Sequence, residues 1–224
     1  MIRILSTKKL RPNEKLFLLN AGFSVLESDF ITVSLKAISL DSVNENLIFT
    51  STNSVKSVAA HPDVQQIRRN PCFCVGQKTA ELLDEVGFTV VEIAEYASEL
   101  AQIIKNGYQD QSFSFFCGNL RLETLPTNMA SAGIRFNEIE SYTTMLTPQE
   151  IKTDVDGILF FSPSGVDSYL QKNTIGDSVC FCIGDTTAKA LENKAKNIVL
   201  ANKPSVENTV IQAINYYKNH PQNL

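Results

Sequence analysis

With 224 residues, the chain is long enough for one large domain or two small ones. Its apolar share of 43% and charged share of 20% are those of a globular protein, and a net charge of −4 argues against a nucleic-acid-binding surface. No stretch reaches the length of a membrane span, and the opening Met1-Ile-Arg-Ile-Leu-Ser-Thr-Lys-Lys9 lacks the apolar core of a secretory signal, which points to the cytoplasm.

In chain order, short apolar runs predict strands at 2–5, 23–26, 47–50, 72–75, 88–92, 113–117, 135–139, 157–161, 179–183 and 197–200. Amphipathic stretches between them predict helices near 12–21, 53–60, 77–86, 98–106, 120–132, 164–172, 185–195 and 205–218. Ser98 and Ser205 stand where N-caps are wanted. Alternation of this kind is written by parallel α/β folds.

Two segments of the chain repeat each other. Phe49-Thr-Ser-Thr-Asn-Ser-Val55 is answered by Phe160-Phe-Ser-Pro-Ser-Gly-Val166, and Cys72-Phe-Cys-Val-Gly-Gln-Lys-Thr-Ala80 by Cys180-Phe-Cys-Ile-Gly-Asp-Thr-Thr-Ala188. A third likeness links Asn20-Ala-Gly-Phe-Ser-Val25 to Ser131-Ala-Gly-Ile-Arg-Phe136. The Ala-Gly unit comes last in the central stretch and first at the chain's start, so the two sets are circularly permuted.

This order predicts two Rossmann-like parallel-sheet lobes. One is discontinuous, 1–32 plus 150–224, and the other is 37–145, with the chain crossing twice near 30–41 and 140–150. The extended, β-prone stretches Ile31–Leu35 and Ile139–Thr144 would pair as a two-stranded β connector that acts as a hinge. A single ten-stranded sheet in sequence order is the alternative, and it leaves the permuted repeat unexplained.

Ligands of open parallel sheets bind at the carboxyl ends of strands. Five donor-rich turns stand at such ends. Ser51 and Asn53 belong to the first, Gly76, Gln77, Lys78 and Thr79 to the second, and Gly118 and Asn119 to the third. Ser162 and Ser164 belong to the fourth, and Gly184, Thr186 and Thr187 to the fifth. Main-chain amides and short hydroxyls at a helix start suit an anion, although Ser and Thr there also serve simply as N-caps. Matched sets suggest two lobes facing one shared anionic ligand.

Motifs for other chemistries are missing. The chain has no G-x-G-x-x-G, no P-loop and no G-x-S-x-G elbow, and its histidines, His61 and His220, sit in a predicted loop and the tail, neither placed as a base for Ser164. The five cysteines alternate inside or end apolar strands and read as buried, reduced thiols, so neither a disulfide scaffold nor a zinc site is expected. Tyr142, in the second hinge segment, is the one phenol placed to donate a proton or hydrogen bond to a ligand between lobes. The alternative is a connector tyrosine that packs its ring.

Taken in order, Phe49–Val55, Val75–Ala80, Phe116-Cys-Gly-Asn-Leu-Arg121, Tyr142, Phe161–Val166 and Ile183-Gly-Asp-Thr-Thr-Ala-Lys-Ala-Leu191 resemble the uroporphyrinogen-III synthase family. That resemblance implies two lobes joined by a β-ladder and no metal or organic cofactor. It implies an enzyme, a lyase, that converts hydroxymethylbilane to uroporphyrinogen III by losing water, closing the macrocycle and inverting ring D. The substrate, a linear tetrapyrrole polycarboxylate, would be the partner; the sequence itself points to no nucleic acid and no membrane and, with no long apolar surface helix, to a monomer. Tyr142 would assist departure of the hydroxyl, while the five turns would position carboxylates. Many members place an arginine after the first strand, where this chain has Lys8 and Lys9; Arg121 is a second candidate for that charge. The rival reading is a non-catalytic, two-lobed binding or sensor domain for a small anion.

Overall fold

Strand residues such as Leu47, Ile48 and Phe49, or Ile158, Leu159 and Phe160, are buried without alternation. Strands covered by helices on both faces read in this way. The computed structural model describes residues 1–220. Its elements are β1 (Arg3–Ser6), α1 (Pro12–Asn20), β2 (Ser24–Glu27), β3 (Ile31–Leu35), β4 (Asn46–Phe49) and α2 (Thr52–Ala59). There follow β5 (Cys72–Val75), α3 (Gln77–Glu85), β6 (Val90–Ala94), α4 (Ala97–Gly107), β7 (Ser112–Gly118), α5 (Thr124–Ser131) and β8 (Arg135–Leu146). The last six are β9 (Gly157–Phe160), α6 (Pro163–Leu170), β10 (Val179–Cys182), α7 (Asp185–Lys189), β11 (Asn197–Leu200) and α8 (Val206–Asn219).

The chain divides into two units, Met1–Thr32 with Met145–Leu224, and Val33–Thr144. In the first, five strands run in the order β11-β10-β9-β1-β2, every neighbouring pair parallel. In the second, six strands run β3-β8-β7-β4-β5-β6, parallel from β8 to β6. With β3 set aside, the two orders are the same once β1 and β2 are matched to β7 and β8, and β9, β10 and β11 to β4, β5 and β6. In its own chain order the first sheet is therefore doubly wound 2-1-3-4-5 and the second, without β3, 3-2-1-4-5, and the ligand crevice of each opens between the two strands where the order reverses. Those strands are β1 and β9 in one unit, and β7 and β4 in the other.

Helices cover both faces of each sheet. In the first unit, Ile4 and Phe181 pack against Leu18 of α1 and Val210 and Ala213 of α8, while Leu5, Ile158 and Phe160 pack under Val166 and Tyr169 of α6. In the second, Leu47 and Phe49 meet Val55 and Val58 of α2 and Leu83 of α3; Ile48, Phe73 and Phe113 meet Leu100 and Ile104 of α4 and Met129 of α5. Neighbouring strand residues go to opposite clusters, as period-two alternation requires.

Several local expectations change. The strand expected at 135–139 continues to Leu146, so sheet strand and connector are one element, with β3 beside it at the sheet's edge. Helix α5 starts at Thr124, not 120, because Asn119 and Arg121 are tied to β8 by their side chains. Helix α7 stops at Lys189, and the chain then closes i→i+3 turns at Leu191, Glu192 and Lys194, with Asn193 inside the last of them at a positive φ of 60°. Ser205 caps α8 by accepting from the Asn208 amide at 3.1 Å. Ser98 lies inside α4, which starts after Tyr96, and the Glu99 carboxylate accepts the Glu95 amide instead. No helix among the described residues is long and apolar enough to cross a membrane.

Candidate active site

Each switch-point crevice is edged by a serine-capped helix. In the second unit, Ser51 follows β4 and caps α2, its Oγ accepting the Asn53 amide at 3.2 Å. In the first, Ser162 follows β9 and caps α6, accepting the Gly165 amide at 3.0 Å, with Ser164 Oγ 3.1 Å away. Pro163 occupies the first turn, where its missing N–H costs nothing. Capping uses a lone pair of each serine, and Ser51 keeps its hydroxyl hydrogen to donate. All four side chains, Ser51, Asn53, Ser162 and Ser164, are partly open to solvent.

One strand further out, the second matched pair of turns follows β5 and β10. Gly76 precedes α3 with φ at +87°, a backbone that strains any residue bearing a Cβ, whereas Gly184 precedes α7 in ordinary extended geometry. Gln77, Lys78 and Thr186 are exposed. Thr79 and Thr187 are not: they are 5% and 1% exposed, and the Thr187 hydroxyl has no hydrogen-bond partner among the described residues. The turns thus offer amides and the outer side chains, while these two threonines lie inside.

The end of β7 brings Gly118 and Asn119 to Tyr142. Gly118 and Tyr142 are partners in the β7–β8 pairing, and a Cβ added to Gly118 would lie 2.8 Å from the phenol oxygen. The Tyr142 ring is half-buried, and its hydroxyl has no hydrogen-bond partner among the described residues. Asn119 is exposed, yet both ends of its amide are used: Oδ1 accepts the Thr144 N–H at 2.7 Å, and Nδ2 donates to the Thr144 carbonyl at 3.1 Å.

The basic candidates are held differently. Arg121 donates from Nε to Glu138 and from Nη1 to Glu123 at 2.5 Å, and these two carboxylates raise its pKa, fixing its charge. Lys8 places its ammonium 5.2 Å from the centre of the Phe161 ring, next to the Ser162 turn, in cation–π contact. The Lys9 amide donates to Asp29 at 2.9 Å. The arrest of Arg121 by Glu138, seventeen residues away, was not readable from local sequence. Neither was the Asn119–Thr144 clamp. Among the described residues no group of three His, Cys, Asp or Glu side chains could hold a metal ion.

The architecture is that of a doubly wound α/β protein made twice over from one chain, with a helix start at each sheet's switch point. The model of the family described as uroporphyrinogen-III synthase HemD matches residues 20–210, and the chain belongs to that family. It is 28% identical over 168 residues to a uroporphyrinogen-III synthase of Chlorobaculum parvum, covering 65% of this chain and 68% of that one. The Saccharomyces cerevisiae uroporphyrinogen-III synthase is 27% identical over 213 residues, 81% of this chain and 74% of the relative. In structure the chain is similar to uroporphyrinogen-III synthetase from Helicobacter pylori, with a TM-score of 0.72 at 19% identity over 96% of this chain and all of that one. A mutant uroporphyrinogen III synthase of Thermus thermophilus gives 0.71 at 15% identity over the whole of both chains. At these identities the structural likeness speaks for the fold.

Proposed function

We propose that this chain closes hydroxymethylbilane to uroporphyrinogen III, with loss of water and inversion of ring D, using no metal or organic cofactor. Membership of the uroporphyrinogen-III synthase family supports the reaction. The observation that carries the assignment of residues is the recurrence of one serine-capped turn at the switch point of both sheets. Amides and hydroxyls in number suit a flexible polycarboxylate, because each bond to a carboxylate contributes about 1.5–3 kcal/mol without requiring an arginine for each. Ser51, Asn53, Ser162 and Ser164 are the inner donors; the amides of the Gly76 and Gly184 turns, with Gln77, Lys78 and Thr186, are the outer ones. Thr79 and Thr187, being buried, serve by shaping those turns.

Tyr142 is the proton donor. Its unpartnered phenol protonates the hydroxyl leaving the ring A end, and water departs to give an azafulvene-like cation. The substituted α-carbon of ring D then bonds to that methylene carbon and forms a spiro centre. Breaking the bond to the old bridge carbon, and remaking it at the ring's other, unsubstituted α-carbon, inverts the ring. Loss of that carbon's proton restores the pyrrole. One proton enters at the hydroxyl and one leaves ring D, so the net change is loss of water, with no oxidant or reductant. Holding the two ends so that the substituted carbon meets the cation first is an orientation effect.

The substrate is water-soluble, and five buried free thiols suit a reducing compartment, so the reading is of a cytoplasmic monomer. The test supplies fresh hydroxymethylbilane, oxidises the product and separates the porphyrin isomers. Type III product supports the reading. Only the symmetric type I isomer, which forms spontaneously, would leave a two-unit anion-binding protein.

A further inference from the structure

The ladder between β7 and β8 reaches Tyr142 only by skipping a residue. Cys117 stands opposite Glu140, but the next rung joins Gly118 to Tyr142, leaving Ser141 as the extra residue of a β-bulge. The skip decides which face of the sheet the phenol uses. Phe116 and its rung partner Ile139 belong to the cluster under α2 and α3, and Cys117 to the cluster on the other face. Unbroken alternation would give residue 141 the face of Ile139 and send residue 142 to the opposite one. The bulge puts Tyr142 on the Ile139 side, with its ring lying over Gly118.

Three sets of bonds hold that arrangement. Ser141, fully buried, donates its hydroxyl to the Cys117 carbonyl at 3.1 Å, and its own carbonyl accepts the Lys36 amide at 3.0 Å. Beyond the tyrosine, Asn119 takes both main-chain groups of Thr144, replacing the ladder where β7 has ended. Between these anchors the ring has room only because residue 118 has no side chain. An added Cβ would stand 2.8 Å from the phenol oxygen and closer to two ring carbons, distances that real Cβ atoms essentially never show.

We infer that Gly118 and Asn119, with the Ser141 bulge, are positioning residues that set the place and direction of the Tyr142 phenol, and that they act through Tyr142 and not by touching the substrate. The inference rests on Tyr142 as the proton donor. A methyl group at 118 must displace the ring, and a misplacement of about 1 Å can cost on the order of 10²-fold in rate.

The experiment measures kcat and KM with hydroxymethylbilane for the parent, Gly118→Ala, Asn119→Ala, Tyr142→Phe and the two doubles with Tyr142→Phe. Gly118→Ala lowers kcat on the order of 10²-fold with KM within about threefold. In the Tyr142→Phe background the same change costs less than about threefold, because the group it displaces is already gone. Asn119→Ala is the second arm should Gly118→Ala fold poorly, and its loss also shrinks in the Phe background. Equal losses in both backgrounds overturn the inference. Tyr142→Phe at the parental rate overturns the donor reading itself; a slow Tyr142→Phe with Gly118→Ala at the parental rate overturns only the positioning. A readout apart from activity is the upfield ring-current shift of the Gly118 α-protons. It disappears in Tyr142→Leu, and if those resonances do not move, the ring is not where the inference needs it.

Discussion

Arg121 and Glu138 form an ion pair across the loop that follows β7, and Glu123 takes a second guanidinium nitrogen at 2.5 Å. A guanidinium already facing two carboxylates has little left for a third, whatever its formal charge. Arg121→Gln is therefore expected to leave KM for hydroxymethylbilane within about twofold, since partly exposed pairs contribute only about 0–1 kcal/mol. Its cost falls on the order of the loop before α5. A KM rise of tenfold or more in steady-state kinetics would show that the arginine serves the substrate instead.

Tyr142→Phe removes the proton and little else, because the ring still rests on Gly118. General-acid assistance contributes roughly 10²–10⁴-fold, so kcat is expected to fall by at least about 10²-fold with KM nearly unchanged. Among single changes at the named donors this is the most damaging. As catalysis slows, spontaneous closure takes over and the product shifts towards the type I isomer. A variant that keeps both its rate and its isomer ratio removes the phenol from the chemistry.

How far the sequence discloses this molecule depends on the range of the interaction. Residues 72–75 and 197–200 are strands at the predicted positions because a short run of β-favouring apolar residues is a local signal, whether it ends up buried, as the first is, or at a sheet edge, as the second is. The serine caps at 51, 162 and 205 are equally local. By contrast, the length of β8, the Ser141 bulge and the choice of Arg121 for Glu138 exist only once β7 and β8 are paired. Gly118 shows the same limit. Its sequence neighbourhood reads as a donor turn, but its missing side chain matters because of a ring twenty-four positions later. Thr79 and Thr187 read as donors for the same reason that Ser51 does, yet burial sets them apart.

Ser51→Ala and Ser162→Ala each delete an N-cap, of 3.2 and 3.0 Å. Each is expected to lose about 1 kcal/mol of stability in chemical denaturation. If the same hydroxyls also bind carboxylates, KM rises by up to about tenfold in each, the equivalent of about 1.4 kcal/mol, with kcat little changed. The double variant should approach the product of the two effects, because the residues lie in separate units. Stability losses with unchanged KM would confine both serines to capping.

The five thiols supply an alkaline limit to stability. Burial pushes Cys72, Cys180 and Cys182 up to about 12 and Cys74 and Cys117 up to about 11, against about 8.5 for an unhindered thiol. The native state therefore keeps its thiol protons when the unfolded state has begun to lose them. This contribution is complete below about pH 8.5 and declines as pH rises towards 11–12, by about 1.4 kcal/mol per pH unit for each thiol inside its window. A thiol-reactive chromogenic reagent should find none of the five in the native protein at pH 8 and all five after denaturation. Denaturation curves between pH 9 and 11 should show a fall that Cys180→Ala and Cys182→Ala each make shallower by about 1.4 kcal/mol per unit. The variants lose stability at pH 7 as well, through the cavity left behind, so the slope and not the offset decides. An unchanged slope would mean that the thiols ionise alike in both states.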